Sequence, residues 1–461
     1  MAVTIVTLVC CAQKTGYEFL FLLPVALCFV VLLPNFRDMA HNYIGIKMLY
    51  ISMWIRYCVF PLSVSFSDRI TGIGSNPSAT NIGIATLVMV AECIAVSSVV
   101  ELYGTKKLLK RGYEQSFKIN YLTQNRTHFV EWLVVAISAI FIAIHPDLLN
   151  NFSFAVYSTS SSNISYFMGL DIRVIQIAII LIFCLSVGWC KKKHIVRANM
   201  LYYYISLLAG VLCMLVFKGE NRASLMINII SVIVVLTAVF PDRRRFTVAT
   251  ILGAGIIALV ALSLYRILAV TAWRPQGGKL DISFNWLTGM IQGYLGGPRG
   301  IAQGIEAASK YPASMGTFLS DLLIWTGYLG NYISEAFHIS FEDTSYLFNL
   351  SIYGNGLIGT GDQIVPLAAQ SIWYLGYLGS PVLSSCVGVM VVLFDKKICK
   401  AETIDLIFIN TMMAVVTGLM FCYNVSVITM YLMDRYFLAW AVIAFSSYVS
   451  RHLRFKMNKK Q

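Results

Sequence analysis

Hydrophobic positions along this chain gather into runs that are too long for the helices of a soluble core, and polar positions gather between the runs. A hydrocarbon layer about 30 Å thick needs roughly 20 apolar residues in helical form, because peptide groups cannot face lipid unpaired. That ruler predicts eleven spans near 17–34, 46–66, 82–103, 129–145, 172–190, 198–217, 223–240, 246–268, 368–394, 404–422 and 425–449. The opening MAVTIVTLVCCA is apolar but short, without the basic start and cleavage site of a removable signal, and is expected to stay on the chain. Counted as a span, it makes twelve. The runs are broken once, by about a hundred polar, glycine-rich and aromatic residues from Ala269 to Pro366. Three parts are therefore expected: a membrane bundle over 1–268, a large outer loop over 269–366, and closing spans with a basic tail over 367–461.

Composition agrees with an all-α polytopic membrane bundle: 58% of residues are hydrophobic and 12% charged, with a mean hydropathy of +0.72, which no soluble surface accommodates. Charge then orients it. The connections after spans 1, 3, 5, 7 and 9 and the C-terminal tail hold most of the 35 basic residues, among them Lys106, Lys107, Lys191, Lys192, Lys193, Arg243, Arg244, Arg245, Lys396 and Lys397. By the positive-inside rule that side is cytoplasmic, so the C-terminus lies in the cytoplasm and the long loop faces outward. The net charge of +13 is this topological signal and gives no reason to expect nucleic acid as a partner.

Familiar chemistries are missing from the pattern. Eleven cysteines lie mainly in or beside spans with none in the long loop, so no disulfide framework is expected, and six scattered histidines form no metal-ligand spacing. No phosphate-cradling glycine motif is present, so neither a nucleotide motor nor a cofactor is expected.

The basic residues that escape the cytoplasmic rule are more informative. Lys14, Arg69, Arg173, Lys218, Arg222, Arg266, Arg274, Lys279, Arg299 and Lys310 lie at or beyond the outer ends of spans, and Arg56 and Arg435 fall inside spans 2 and 11. A guanidinium within a span costs about 2.5–3.5 kcal/mol on insertion scales unless it is paired or faces water. Glu92 and Asp434 are available as structural partners, whereas a convergence of arginines would suit an anionic lipid headgroup. Arg222, after Gly219, opens span 7, where free backbone donors also favour an anion. In the loop, Trp273-Arg274-Pro275 is followed by Gln292-Gly-Tyr-Leu-Gly-Gly-Pro-Arg299, whose glycines let backbone approach a ligand. Thr317 to Phe337 reads as an amphipathic helix, lying on the outer leaflet or packed on the bundle. Asp321, Glu335, His338, Glu342 and Asp343 are candidate general bases.

This order of parts resembles the O-antigen and capsule polysaccharide polymerases, the Wzy-type enzymes. The resemblance rests on the Gly219–Arg222 turn opening a span, the outer loop before the last spans, Arg56 followed by Pro61, and the loop exit from Gly361 through Gln370 to Gly379. Some relatives carry an acidic residue where this chain has Gln370. The resemblance implies a metal-independent, GT-C-like glycosyltransferase of the bacterial inner membrane. Such an enzyme moves a growing chain from undecaprenyl diphosphate onto the next lipid-linked oligosaccharide at the periplasmic face, with a flippase and a chain-length regulator as partners. Arg56, Arg222, Arg274, Arg299 and Arg435 would grip the substrate, and Glu335, His338 and Asp343 are the catalytic candidates. Trp273, Trp286, Trp325 and Tyr328 offer faces for sugar rings. Competing readings are a ligase acting on lipid A core, a lipid-linked sugar flippase or secondary transporter, and an assembly scaffold.

Reporter fusions at Lys192 and Arg244 are expected to read cytoplasm and one at Gly300 the outside; a cytoplasmic signal at Gly300 inverts the topology.

Overall fold

A computed structural model describes residues 1–67, 70, 76–108, 128–146, 166–197, 199–215, 222–273, 284–323, 342–354 and 363–458. Among them every regular element is a helix and there is no strand. In order these are α1 (Ala2–Cys11), α2 (Leu22–Leu32), α3 (Pro34–Asn42), α4 (Ile44–Trp54), a π-helical turn (Ile55–Val59), α5 (Phe60–Ser65), α6 (Ala79–Lys107), α7 (Phe129–Ile144), α8 (Tyr166–Arg197), α9 (Met200–Leu215), α10 (Arg222–Val239) and α11 (Arg244–Trp273). The loop region holds α12 (Phe284–Tyr294), α13 (Pro298–Lys310), α14 (Met315–Leu323) and α15 (Thr344–Tyr353). The chain closes with α16 (Leu367–Leu375), α17 (Val382–Cys399), α18 (Ile404–Gly418), α19 (Val425–Met430), a second π-helical turn (Tyr431–Phe437) and α20 (Leu438–Asn458).

All eleven predicted stretches are helical, but they are not equally long. Among the described residues six runs are long and apolar enough to cross a membrane: Ile44–Ser65, Ala79–Lys107, Ile172–Arg197, Pro241–Leu262, Tyr377–Cys399 and Val425–Ser450. The pair α2–α3 makes a seventh if its 81° bend is counted within one span. Pro34 causes that bend: it donates no backbone hydrogen bond, and it forces Leu33 into an extended conformation (φ −78°, ψ 103°). The four other stretches form helices of 15–18 residues, short of the roughly 20 that a straight crossing takes. The protein is a helical membrane protein with several spans.

The chain divides into two compact units: Met1–Tyr113 with Leu280–Lys396 and Ala414–Tyr431, and Glu114–Lys279 with Lys397–Met413 and Leu432–Gln461. In the first unit, Pro61 removes a donor from the α4–α5 span, and the ladder widens just before it, so that Phe60 N–H bonds to Ile55 O, five residues back. Asp395 of α17 accepts hydrogen bonds from Gly45 N–H (2.9 Å) and Ile46 N–H (3.0 Å), capping an α4 start that has no side-chain cap of its own. Small residues let backbones close up there, as membrane helices require: a Cβ added at Gly418 would stand 2.5 Å from Gly45 O. The loop helices are built into this unit. Helix α13 packs on α6, α15 and α16, and α12 on α5. Glu306 of α13 accepts from Ser78 N–H (2.8 Å) and the Asn81 amide (3.0 Å), fastening α13 to the start of α6.

In the second unit α7–α11 pack mainly on their sequence neighbours. Gly210 lies against Val232 and Gly255 against Ile229, drawing α9 to α10 and α10 to α11. Glu131 of α7 accepts from Ser446 Oγ of α20 at 2.7 Å.

Gly418→Leu is expected to lower stability by about 1–3 kcal/mol or more through overpacking, measured as the unfolding midpoint in detergent. Gly253→Leu, with open space where a Cβ would stand, is expected to leave that midpoint within about 0.5 kcal/mol.

Candidate functional site

The π turn at Ile55–Val59 carries Arg56, which is 1% exposed. Its Nη1 donates to Glu92 Oε2 at 2.6 Å, its Nη2 to Gly296 O at 2.8 Å, and its carbon lies 4.4 Å from the centre of the Phe421 ring. Glu92, equally buried, also accepts from Ser384 Oγ. This is an ion pair joined by neutral hydrogen bonds, which help two charges persist in an apolar interior. Arg56 therefore sits as a tie between α6, α17 and the loop turn at Gly296.

That turn is a helix stop followed at once by a helix start. Gly296 has φ +55°, the left-handed conformation that ends α12, and Gly297 N–H bonds back to Gln292 O at 3.0 Å. Gly297 then caps α13, and Pro298 takes the first helical position, where its missing donor is no loss. Gly296 is also a close-packed position: a Cβ there would stand 2.9 Å from Pro366. One residue later comes Arg299, 5% exposed, beside Tyr17 and Gln292. Burial pushes the Arg299 guanidinium below its ordinary range and the phenol of Tyr17 pulls it back up. Burial pushes the Tyr17 phenol up to about 12, against the pull of Arg299 and Gln292. A buried cation at the amino end of a 13-residue helix favours an anion.

Asp321, fully buried on α14, collects donors from three other helices, α15, α16 and α19. Its Oδ1 accepts from Thr344 N–H (3.1 Å) and Ser426 Oγ (2.8 Å), its Oδ2 from Thr344 Oγ1 (2.6 Å), the Gln370 amide (2.5 Å) and Tyr374 OH. Gln370 in turn accepts from Val425 N–H at 2.9 Å. A carboxylate at position 370 would face Asp321 with like charge and no donor, which explains the amide there. Asp343 stands next to Thr344 as the cap of α15, accepting from Tyr346 N–H at 2.6 Å. Burial pushes its carboxyl up, the Tyr346 N–H pulls it down, and the charge of Asp321 raises it again.

Other expected positions take different places. Asp434 pairs with Arg173 at 3.1 Å across the second π turn, so Arg173 is a structural partner rather than part of an outer clamp. Arg435, in the same turn, lines a cavity of about 20 Å³ with Gln176, Asn228 and Cys213, room for one water and too small for a diphosphate. Lys14 donates to the carbonyls of Ser65 (3.2 Å) and Ser67 (2.8 Å) at the end of α5. Arg222 opens α10 as predicted, and its side chain lies outside the described residues, as do Arg274, Glu335 and His338. Trp325 and Tyr328 lie outside them too, and α14 covers the described part of the predicted Thr317–Phe337 helix. Arg56 and Arg299 belong to the first unit, Arg222, Arg274 and Arg435 to the second. Sequence reasoning passed over Tyr17 and Ser384; the polar break Lys14-Thr-Gly-Tyr17-Glu18 inside an apolar opening was the available signal for the first.

Comparison with protein-family models, curated proteins and solved structures gives no match.

Arg56→Ala leaves Glu92 charged and unpaired, and is expected to cost about 3–5 kcal/mol, whereas Arg56→Met combined with Glu92→Leu is expected to recover most of it. Unfolding midpoints of the three proteins in detergent measure the difference.

Proposed function

We propose that this chain is a membrane glycosyltransferase that polymerises undecaprenyl-diphosphate-linked oligosaccharide repeat units, of the O-antigen or capsular kind, at the outer face of the bacterial inner membrane, with its C-terminus in the cytoplasm. The observation that carries the reading is Arg299: a buried arginine at the start of α13, in a loop segment packed on the span α6 and tied to the membrane through Gly296. A diphosphate leaving group develops charge as its sugar departs, and a preorganised guanidinium at a helix start stabilises that charge in a site screened from water. In this scheme the acceptor hydroxyl loses its proton to a carboxylate, its oxygen bonds to the anomeric carbon, and the carbon–oxygen bond to the lipid diphosphate breaks with the electron pair going to the phosphate. Asp343 is the base among the described candidates, since its raised proton affinity suits it to that transfer. Glu335 and His338 remain candidates for the same step. Arg222 and Arg274 remain candidates for binding the lipid headgroup; Arg56 acts by holding the turn that places Arg299.

A second reading, a flippase or transporter of lipid-linked sugars, has the 81° break of α2–α3 and the two π turns in its favour, because transporters bind substrate at interrupted helices. A ligase would differ only in its acceptor.

Purified protein given undecaprenyl-diphosphate-linked repeat units in proteoliposomes is expected to build a ladder of products. Arg299→Ala should lower kcat/KM by about 10²–10³-fold, and Asp343→Asn by about 10²–10⁴-fold. Translocation of the lipid without any ladder would decide for the transporter, and transfer to lipid A core alone for the ligase.

A further inference from the structure

The α8–α9 and α10–α11 connections hold a concentration of positive charge that the positive-inside rule alone does not require. That rule asks only for basic residues on one side of the bilayer, and separate pairs such as Lys106 with Lys107 satisfy it. Here two connections distant in sequence are folded onto each other. They meet at Phe240, which is 4% exposed: Lys191 Nζ lies 5.1 Å from the centre of its ring, and the rings of His194 and Tyr203 lie 5.8 and 5.3 Å away. Arg243 donates to Met200 Sδ at 3.7 Å, which brings the start of α9 into the same cluster. Lys191 to Lys193, Arg197 and Arg243 to Arg245 are thereby gathered around one acidic side chain among the described residues of the two connections, Asp242. Like charges held side by side repel, and Arg244 and Arg245 also open α11 in a first turn without an acidic residue, where the helix dipole disfavours a cation. Packing holds the cluster together at a cost that an anion offsets.

The surface around this charge is apolar and uncovered. Trp189, Ile195, Val196, Met200, Leu201 and Phe246 are exposed, and the Trp189 ring meets that of Tyr202 edge-on at 5.6 Å. Basic groups beside exposed aromatic and aliphatic side chains match a ligand with an anionic head and hydrocarbon tails; a soluble anion has no use for the apolar part.

We propose that this surface binds an anionic phospholipid of the cytoplasmic leaflet, its phosphate between the arginines at the start of α11 and the lysines at the end of α8, its chains along the exposed apolar side chains. Every residue of the site belongs to the second unit, whereas Arg299 and Asp343 belong to the first, so it serves a polymerase, a ligase or a transporter alike. Bound there, the lipid joins the two connections and stabilises this end of the second unit.

The test titrates the full-length protein in neutral detergent with phosphatidylglycerol and with phosphatidylcholine of the same chains, reading binding by native mass spectrometry and stability by the unfolding temperature. Phosphatidylglycerol is expected to bind about 10-fold or more tightly than phosphatidylcholine and to raise the unfolding temperature further. Arg243→Gln, Arg244→Gln and Arg245→Gln together are expected to weaken its binding by about 10- to 100-fold. Lys192→Gln with Arg197→Gln, both exposed on the other connection, is expected to weaken it by about 10-fold, and Lys106→Gln with Lys107→Gln by less than about 2-fold. Either of the first two variants decides the matter if the other fails to fold. Equal loss in the two double variants means attraction by net charge alone and overturns the site, as does equal binding of the two lipids. Glycerol phosphate, a headgroup without tails, is expected to bind far more weakly than the lipid; parity between them overturns a lipid site in favour of a soluble anion.

Discussion

A charge inside a lipid-embedded bundle has to be answered by another charge or by water, and the pairing of Arg56 with Glu92 is the answer on which the first unit is built. Each ion has further polar company: the Gly296 carbonyl and the Phe421 ring for the guanidinium, Ser384 for the carboxylate. The partners come from α6, α17 and the loop between α12 and α13, so satisfying one arginine fixes the relative placement of segments far apart in the chain. The described helices of the loop are for this reason packed into the first unit. Asp395 and Asp321 apply the same rule elsewhere, each buried carboxylate surrounded by donors from neighbouring segments.

Proline and glycine decide where helices break, and the breaks are where the polar chemistry sits. Pro34 bends α2 from α3, Pro61 follows the π turn that carries Arg56, and Pro298 restarts a helix directly after the left-handed Gly296. A π turn widens the ladder locally and shifts the positions of side chains around the axis. Arg56 and the neighbours Asp434 and Arg435 all lie in such turns.

How much of this was readable beforehand follows from the kind of signal involved. Helix positions were legible because lipid imposes a long and simple hydrophobic pattern; Arg56 stood out because it broke that pattern, and Arg299 and Arg222 because they escaped the cytoplasmic side. Partnership was not legible. Glu92 lies 36 positions from Arg56 and Gly296 lies 240 positions from it, and no local spacing announces a contact that depends on tertiary packing. Arg173 and Lys14 were grouped with the outer cations because their positions match those of headgroup ligands; only the structure shows that one neutralises Asp434 and the other ends a helix. The Gly296-Gly297-Pro298 sequence carried its local structure in plain view, since a left-handed stop and a proline start are both signals of composition.

The tie at Arg56 also imposes an order on biogenesis. A chain emerging from its amino end presents Arg56 and Glu92 within a single pair of early spans, so the ions can neutralise each other soon after both enter the bilayer. The Gly296 carbonyl and Ser384 become available only after more than half of the polypeptide has been made. The nascent amino-terminal part must therefore wait in the bilayer with its central arginine incompletely surrounded, and the arrival of the loop converts a provisional ion pair into a finished junction.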